Sequence, residues 1–455
     1  MDNDKKAAAE PKTGLDRIVA PVTETFGLSW ALAAASVLLS VALLAAAVFY
    51  FFHSAPPRTL TISSGPPGSS FESFATNYQA ILASNHVTLK IVESQGSEEN
   101  LARLNDKKSK VDVGFVQGGI TNGLQDSKLV SLGSITYQPM LIFYHGTNEV
   151  KLLSDFRGKR LALGPAGSGT RALATTLLNL NGVDVGSNAT LVDIDATNSP
   201  EALQSGKVDA VFLMGDSASP LIMKKLLLSP GVQLFNFEQA DGYARKITYL
   251  DKLELPMGSI DFGKNIPSQD VFLLGPTVEL LAQPNLHPAL VDLLLEAAKR
   301  VHGSANLLRK KDEFPAPLEH DFPISAEAER FYKSGKGFLY NMLPFWLASL
   351  VNRILVAFVP LVVLLIPSVK AIPAAYKWRI RMLIYRRYRL LLALERELDE
   401  NGSPKKIEEL LARLDRIEAT VNGMKVPASF ADAFYGLRGH IGFVRQRLTD
   451  RQGQN

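Results

Sequence analysis

The run Leu28–Phe52, LSWALAAASVLLSVALLAAAVFYFF, holds 25 residues without a charge, and nothing else in the 455-residue chain limits its fold as severely. At about 1.5 Å of rise per residue, such a helix spans a hydrocarbon core of roughly 30 Å. A cleaved signal peptide has a shorter apolar core and small residues before its cleavage point. Here Phe49, Tyr50, Phe51 and Phe52 stand there instead, as in an interfacial aromatic belt. A second apolar run, Phe345–Ile366, contains Asn352, Arg353 and Pro360. Arg353 is close enough to the outer end to snorkel, and membrane helices tolerate an interior proline. Directly after it come Lys370, Lys377, Arg379, Arg381, Arg386, Arg387 and Arg389 with no acid among them, so the C-terminus reads as cytoplasmic.

Two spans place both termini on one side of a membrane. The expected organisation is a cytoplasmic tail at 1–27 with Lys5, Lys6, Lys12 and Arg17, then a transmembrane anchor at 28–52. An extracytoplasmic domain follows at 53–343, a second transmembrane helix at 345–366, and a basic cytoplasmic helical tail at 367–455. The implied location is a bacterial inner membrane with the outer domain in the periplasm.

Composition narrows the chemistry. A net charge of +4 over this length is no nucleic-acid-binding signature. The absence of cysteine excludes disulfides, thiolate metal sites and cysteine nucleophiles. Histidines 53, 86, 145, 287, 302, 320 and 440 show no metal-ligand spacing, and neither GxSxG nor HExxH occurs. The reading therefore contains no catalytic residue, no metal site and no cofactor.

In the outer segment, β-rich runs alternate with helical ones. Strands are expected at Thr59–Ser63, Val87–Glu93, Val111–Val116, Met140–Tyr144, Arg160–Leu163, Leu191–Ile194 and Val208–Leu213. Helices are expected at Phe71–Ser84, Glu98–Leu104, Thr170–Leu180 and Pro200–Gln204. This alternation predicts α/β structure with mostly parallel sheets, where ligands bind beyond the carboxyl ends of strands. Four such ends carry Gly and Ser or Thr: Ser64–Phe71, Ser94–Ser97, Gly164–Thr170 and Met214–Ser217. Glycine lets a ligand approach the backbone, and a helix start with free N–H groups favours an anion. Gly164–Thr170 lacks the lysine of a nucleotide-binding P-loop.

The stretch LLSDFRGKRLALGPAGSGTRALA at Leu152–Ala174 resembles the solute receptors of the TAXI family of tripartite ATP-independent periplasmic (TRAP) transporters. GSEENL at Gly96–Leu101, VDVGFVQGG at Val111–Gly119 and GKVDAVFLMG at Gly206–Gly215 follow the same order. The resemblance implies a type II periplasmic-binding-protein-like fold with two lobes around a ligand cleft, closing on a small organic acid or amino acid. Lobe 1 would comprise about 59–140 and 270–330, and lobe 2 about 141–269. By matching positions, Ser64, Gly65, Ser69 and Ser70 form the first ligand loop, Ser97 the second, and Gln117 faces the cleft. Ser168, Gly169 and Thr170 then take the ligand's carboxylate, opposite Gly215 and Asp216. Where the family has a glycine run and tyrosines, this chain has Pro66-Pro67-Gly68-Ser69-Ser70-Phe71. The implied partners are separate TRAP permease subunits. FYKSGKGFLYNMLPFWLASLVNR, YKWRIR and FADAFYGLRGHIGFVRQRL also resemble a subgroup fastened by a second span.

In the tail, a helix from Tyr376 to Glu400 is expected to stop at Asn401-Gly402, and Ser403-Pro404 to start another. A short third helix is expected at Ser429–Leu448. Leu410, Leu411, Leu414 and Ile417 form an apolar stripe, open to self-packing, self-association or a signalling partner. The basic stretch is expected to touch anionic membrane lipid. An alternative role is therefore a transmembrane solute sensor or scaffold acting through this helical hairpin.

Overall fold

The computed structural model describes residues 30–53, 55–120, 127–146, 149–318, 321–400, 404–424, 426 and 430–453. The tail at 1–27, Leu28, Ser29, His320, the stop at Asn401-Gly402, the Ser403 cap and Ser429 lie outside them. The chain divides into two compact units, one being Ala55–Asn352 and the other joining residues up to Ser54 with Arg353–Asn455.

Within Ala55–Asn352 the chain first builds β1 (Thr59–Ser63), α1 (Ser70–Ala83), β2 (Thr88–Val92), α2 (Ser97–Asn105), β3 (Val113–Gln117) and β4 (Val130–Tyr137). It crosses over to β5 (Leu141–His145), β6 (Arg160–Ala162), α3 (Gly169–Leu180), β7 (Thr190–Leu191), β8 (Ala210–Leu213) and β9 (Val232–Leu234). A hairpin, β10 (Asp251–Leu255) and β11 (Val271–Gly275), leads back to β12 (Thr277–Ala282) and α4 (Pro288–His302). Two five-stranded sheets result, ordered β2-β1-β3-β12-β4 and β7-β6-β8-β5-β9.

Neither sheet is mostly parallel. β1 is parallel to β2 and β3, but β12 runs antiparallel between β3 and β4. In the second sheet β6 is parallel to β7 and β8, while β5 is antiparallel to β8 and β9. Each sheet thus receives one strand from a chain segment that has just crossed between lobes. The two crossings run side by side, with Gln138 N–H donating to Pro276 O at 2.9 Å and Met140 N–H to Leu274 O at 2.8 Å. A Cβ at Gly275 would strike the Gln138 carbonyl, so only glycine lets these strands pass so closely.

Each lobe has its own core. Leu60, Ile62, Phe71, Tyr78, Phe115 and Leu294 pack with α1 and α4 on the first sheet. Ile142, Phe156, Leu161, Leu177, Phe212 and Phe235 pack on the second. Asn100 of α2 ties the first lobe together, accepting from the Ser63 hydroxyl at 2.5 Å and donating to Ser64 O at 2.6 Å and Phe115 O at 2.9 Å. Asn100→Ala should cost about 2–4 kcal/mol, because buried carbonyls would lose a donor. Denaturant unfolding of the variant against wild type measures that loss.

The other unit holds α5 (Trp30–His53), α7 (Pro404–Asn422), α8 (Ala431–Gly453) and, from Arg353 onward, α6, which spans Phe345–Glu400. α6 is a single helix of 56 residues that runs through Pro360, Pro367 and Pro373 and joins the apolar segment 345–366 to the helix expected from Tyr376 to Glu400. Its C-terminal half forms a three-helix bundle with α7 and α8 around Ile384, Leu391, Leu410, Leu414, Leu437 and Val444. The expected hairpin and third helix therefore share one core, and the third helix is 23 residues rather than short. Leu410 and Leu414 are fully buried and Leu411 and Ile417 half-buried, so the stripe is spent on self-packing. Among the described residues no helix is long and apolar enough to cross a membrane, and part of the side chains of α5 and α6 lies outside that set.

Candidate functional site: a carboxylate between two helix starts

The site forms where strand ends of the two sheets meet. α2 begins at Ser97 after a turn at Gly96, whose φ is +133°, and α3 begins at Gly169 after Gly164 and Gly167 at +81° and +85°. The first N–H groups of a helix have no intrahelical partner and lie at its positive dipole end. Both starts point at one group, the carboxylate of Asp216 in the loop after β8. Its Oδ2 accepts from Gly169 N–H at 2.5 Å, Thr170 N–H at 3.3 Å and, across the lobes, Ser97 N–H at 3.4 Å. Its Oδ1 accepts from the Thr170 hydroxyl at 2.6 Å, and Thr170 Oγ1 lies 2.8 Å from Ser217 Oγ.

Asp216 is fully buried, and no Lys, Arg or His forms an ion pair with it among the described residues. Burial pushes its carboxyl above the ordinary value, while the Thr170 hydroxyl, the Gly169 and Ser97 N–H groups and the Ser217 hydroxyl pull it back. Among the described residues the carboxyl is met by dipoles alone. A Cβ at Gly96 would come within 2.5 Å of Asp216 Oδ2, so glycine is what admits the carboxylate there.

The eleven residues singled out in the sequence converge on this place. The donors that the sequence assigns to a solute, Gly169 and Thr170, are engaged by Asp216, which fills the junction rather than lining it. Ser168 caps α3, accepting from Arg171 N–H at 3.1 Å, and its hydroxyl donates to Pro165 O at 2.7 Å. Ser69 likewise caps α1 through Glu72 N–H at 3.2 Å, and the Ser64 hydroxyl donates to Val92 O at 3.2 Å. Ser97 Oγ accepts from Gln117 N–H at 3.3 Å.

The remaining residues bridge the lobes. Gln117 Nε2 donates to Gly169 O at 3.0 Å, and a Cβ at Gly169 would collide with that carboxamide. Ser70 N–H donates to Gly215 O at 2.9 Å, Glu99 N–H to Gly167 O at 2.9 Å, and Gly65 sits against the Asp216 carbonyl. The lobes are closed on each other. Sequence reasoning placed Ser217 only in the turn Met214–Ser217 and Asn100 only in a motif, and missed Gln138, whose Nε2 donates to Gln117 Oε1 at 3.2 Å. Polar residues of a kind that is usually exposed, yet set beside the Gly and Ser turns, were the available signal.

Among the described residues no group of three His, Asp or Glu side chains is arranged to hold a metal ion. His302 is buried among Phe74 and Tyr78 with both ring nitrogens unpartnered, and His287 caps α4 by accepting from Ala289 N–H at 3.2 Å.

Two five-stranded α/β lobes joined by paired crossings make the Ala55–Asn352 unit a periplasmic-binding-protein-like fold. Residues 72–268 match the NMT1-like family. Among solved structures, the aliphatic sulphonate binding protein SsuA of Escherichia coli is 16% identical, with a TM-score of 0.36 over 54% of this chain and 73% of that one. An ancestral arginine-binding protein bound to arginine gives 15%, 0.34, 54% and 92%. The regulatory domain of CcmR from Synechocystis, in complex with 2-PG, gives 10%, 0.35, 54% and 98%.

Proposed function

We propose that the protein is a membrane-held extracytoplasmic receptor that closes two lobes on a small acidic solute and delivers it to separate TRAP-type permease subunits. One observation carries this reading: helix starts from both lobes converge on a single carboxylate position at the junction. A solute acid held by both starts would favour the closed arrangement over an open one, because only closure brings the two sets of N–H groups together. The quoted motifs at Leu152–Ala174 and Val111–Gly119 support the TRAP assignment.

A thermal-shift screen of the full chain in detergent tests it, with amino acids, dicarboxylates, keto acids and sulfonates. The solute should stabilise the outer unit by about 2.7 kcal/mol at 100-fold excess over its Kd. A shift produced only by uncharged solutes would refute the acidic class.

Membrane anchorage draws on three observations. Leu38, Leu39, Leu44, Phe49 and Phe52 of α5 and Val359, Val362 and Val363 of α6 are all exposed, an apolar surface that water penalises. Phe51 near the end of α5 stacks under the Arg353 guanidinium near the start of α6 at 5.0 Å, as expected of two spans whose outer ends are level. The basic run from Lys377 to Arg389 follows the second apolar segment directly. Because the chain has no cysteine, single-cysteine labelling reads the topology cleanly. With the inner membrane intact, a membrane-impermeant maleimide should label Ser84→Cys and spare Lys405→Cys. The reverse pattern would invert the topology.

A sensor is the second reading, favoured by the unbroken α6 that runs from the second apolar segment into the helical bundle. Crosslinking in native membranes separates the two. A multi-span permease subunit as the captured partner supports transport, and a cytoplasmic protein bound to the bundle supports sensing.

A further inference from the structure

We propose that Asp216 is a tethered occupant of the receptor's own cleft: its carboxylate takes the place of a solute acid between the starts of α2 and α3 and must leave before such an acid binds.

The geometry is that of a ligand rather than of a cleft wall. A group lining a cleft keeps free polar atoms for the solute. Asp216 spends both oxygens on the donors that a solute acid would use, and is itself sealed from water. Its donors come from both lobes, Ser97 from one and Gly169 with Thr170 from the other, so it bridges them as a bound solute would. Gly96 admits Oδ2 at a distance no side chain would permit. The neighbouring bonds, Gln117 to Gly169 and Ser70 to Gly215, close the lobes around it.

Two consequences follow. Closure does not require solute, so the closed form exists in the empty receptor. An acidic solute meets a competitor of very high effective concentration, and its apparent affinity is lowered by the fraction of molecules in which Asp216 is displaced. Asp216 then sets the solute threshold. This second consequence rests on the reading of the cleft as a solute site, and the first does not.

The test uses the full chain in detergent, with sodium formate and sodium acetate as probes and sodium chloride at equal ionic strength as control. Asp216→Ala leaves the donors in place and removes the carboxylate. It should melt lower than wild type in chloride and recover at least half of the difference in formate or acetate, while wild type responds to neither. Asp216→Asn keeps the shape and covers the case in which the alanine variant does not fold. Hydrogen exchange at the Ser97 and Gly169 amides should speed up at least tenfold in it, with the β3 amides unchanged.

Asp216→Ala that folds and ignores both acids, or unchanged exchange at both amides in Asp216→Asn, would overturn the proposal. Acid rescue without any natural solute in the screen leaves the tethered occupant standing and removes only the receptor reading. A solute that binds wild type and Asp216→Ala equally, with no acid rescue, does the opposite.

Discussion

Glu279→Gln is expected to stabilise the Ala55–Asn352 unit by about 3 kcal/mol above pH 7 and to steepen its loss of stability in acid. Glu279 lies on β12 between two neighbouring strands, 2% exposed, with Oε2 unpartnered. Burial pushes its carboxyl from 4.5 up to about 7. The Ser131 hydroxyl pulls it back, the nearby Asp321 charge adds to the rise, and the Asp321 N–H opposes it. The folded value lies above the unfolded one, so the native state binds the extra proton between about 4.5 and about 7. Stability from this group is present at low pH and lost as pH rises through 7. The gap corresponds to about 3 kcal/mol.

His302 acts in the opposite sense. Burial, with Arg309 adding to it, lowers its imidazole from 6.5 to about 3, so the unfolded chain takes up a proton that the native state refuses. Stability from His302 is present above pH 6.5 and falls by about 1 kcal/mol for each pH unit below it. Between about pH 4.5 and 6.5 the slopes from these two groups oppose each other. Glu279→Gln should leave the His302 loss alone. His302→Phe, in a pocket already lined by Phe74 and Tyr78, should leave the Glu279 gain alone. Denaturant titrations of the three proteins from pH 4.5 to 8 check this, and three parallel curves would show that neither group governs the acid response.

The burial of these two groups was invisible in the sequence for the reason that the role of Asp216 was: the residue stood in the expected site, but as a wall of the cleft rather than as the group its donors hold. Local pattern sets local structure: Thr59–Ser63 reads as a strand because of its β-branched residues, and Phe71, Ala75, Tyr78 and Leu82 sit on one face of α1 at helical spacing. The Gly and Ser turns at strand ends were legible for the same reason, since glycine at positive φ and an N-capping hydroxyl are local requirements. What such a turn faces is decided far along the chain. The donors at Gly169 and Thr170 announce an anion, but the anion is supplied by a residue after β8 that only the fold brings back. β12 was missed because its place between antiparallel neighbours depends on the return crossing from the other lobe. Glu279 and His302 became buried through that return, on β12 and at the end of the helix after it.

Leu414→Asp is expected to unfold the helical bundle while leaving the Ala55–Asn352 unit intact. Leu414 is fully buried among Leu391, Leu410 and Leu437 from the three helices. Removing a buried leucine costs about 2–5 kcal/mol, and an unpaired carboxylate in its place adds several more. The sum matches or exceeds the roughly 5–15 kcal/mol that holds an ordinary domain together. The surface ion pairs Arg445–Asp415 and Arg413–Glu409 give little resistance, because each solvent-exposed pair contributes about 1 kcal/mol or less. The Ala55–Asn352 unit has separate cores built on its two sheets that share no residue with this one, so its melting should persist. Limited proteolysis should therefore cut within 376–453 in the variant and spare 55–352. Leu411→Asp, at a half-buried position of the same stripe, should cost less and leave the bundle folded. A Leu414→Asp chain whose tail still resists protease, but which loses self-association, would mean that the stripe faces a second copy rather than its own bundle.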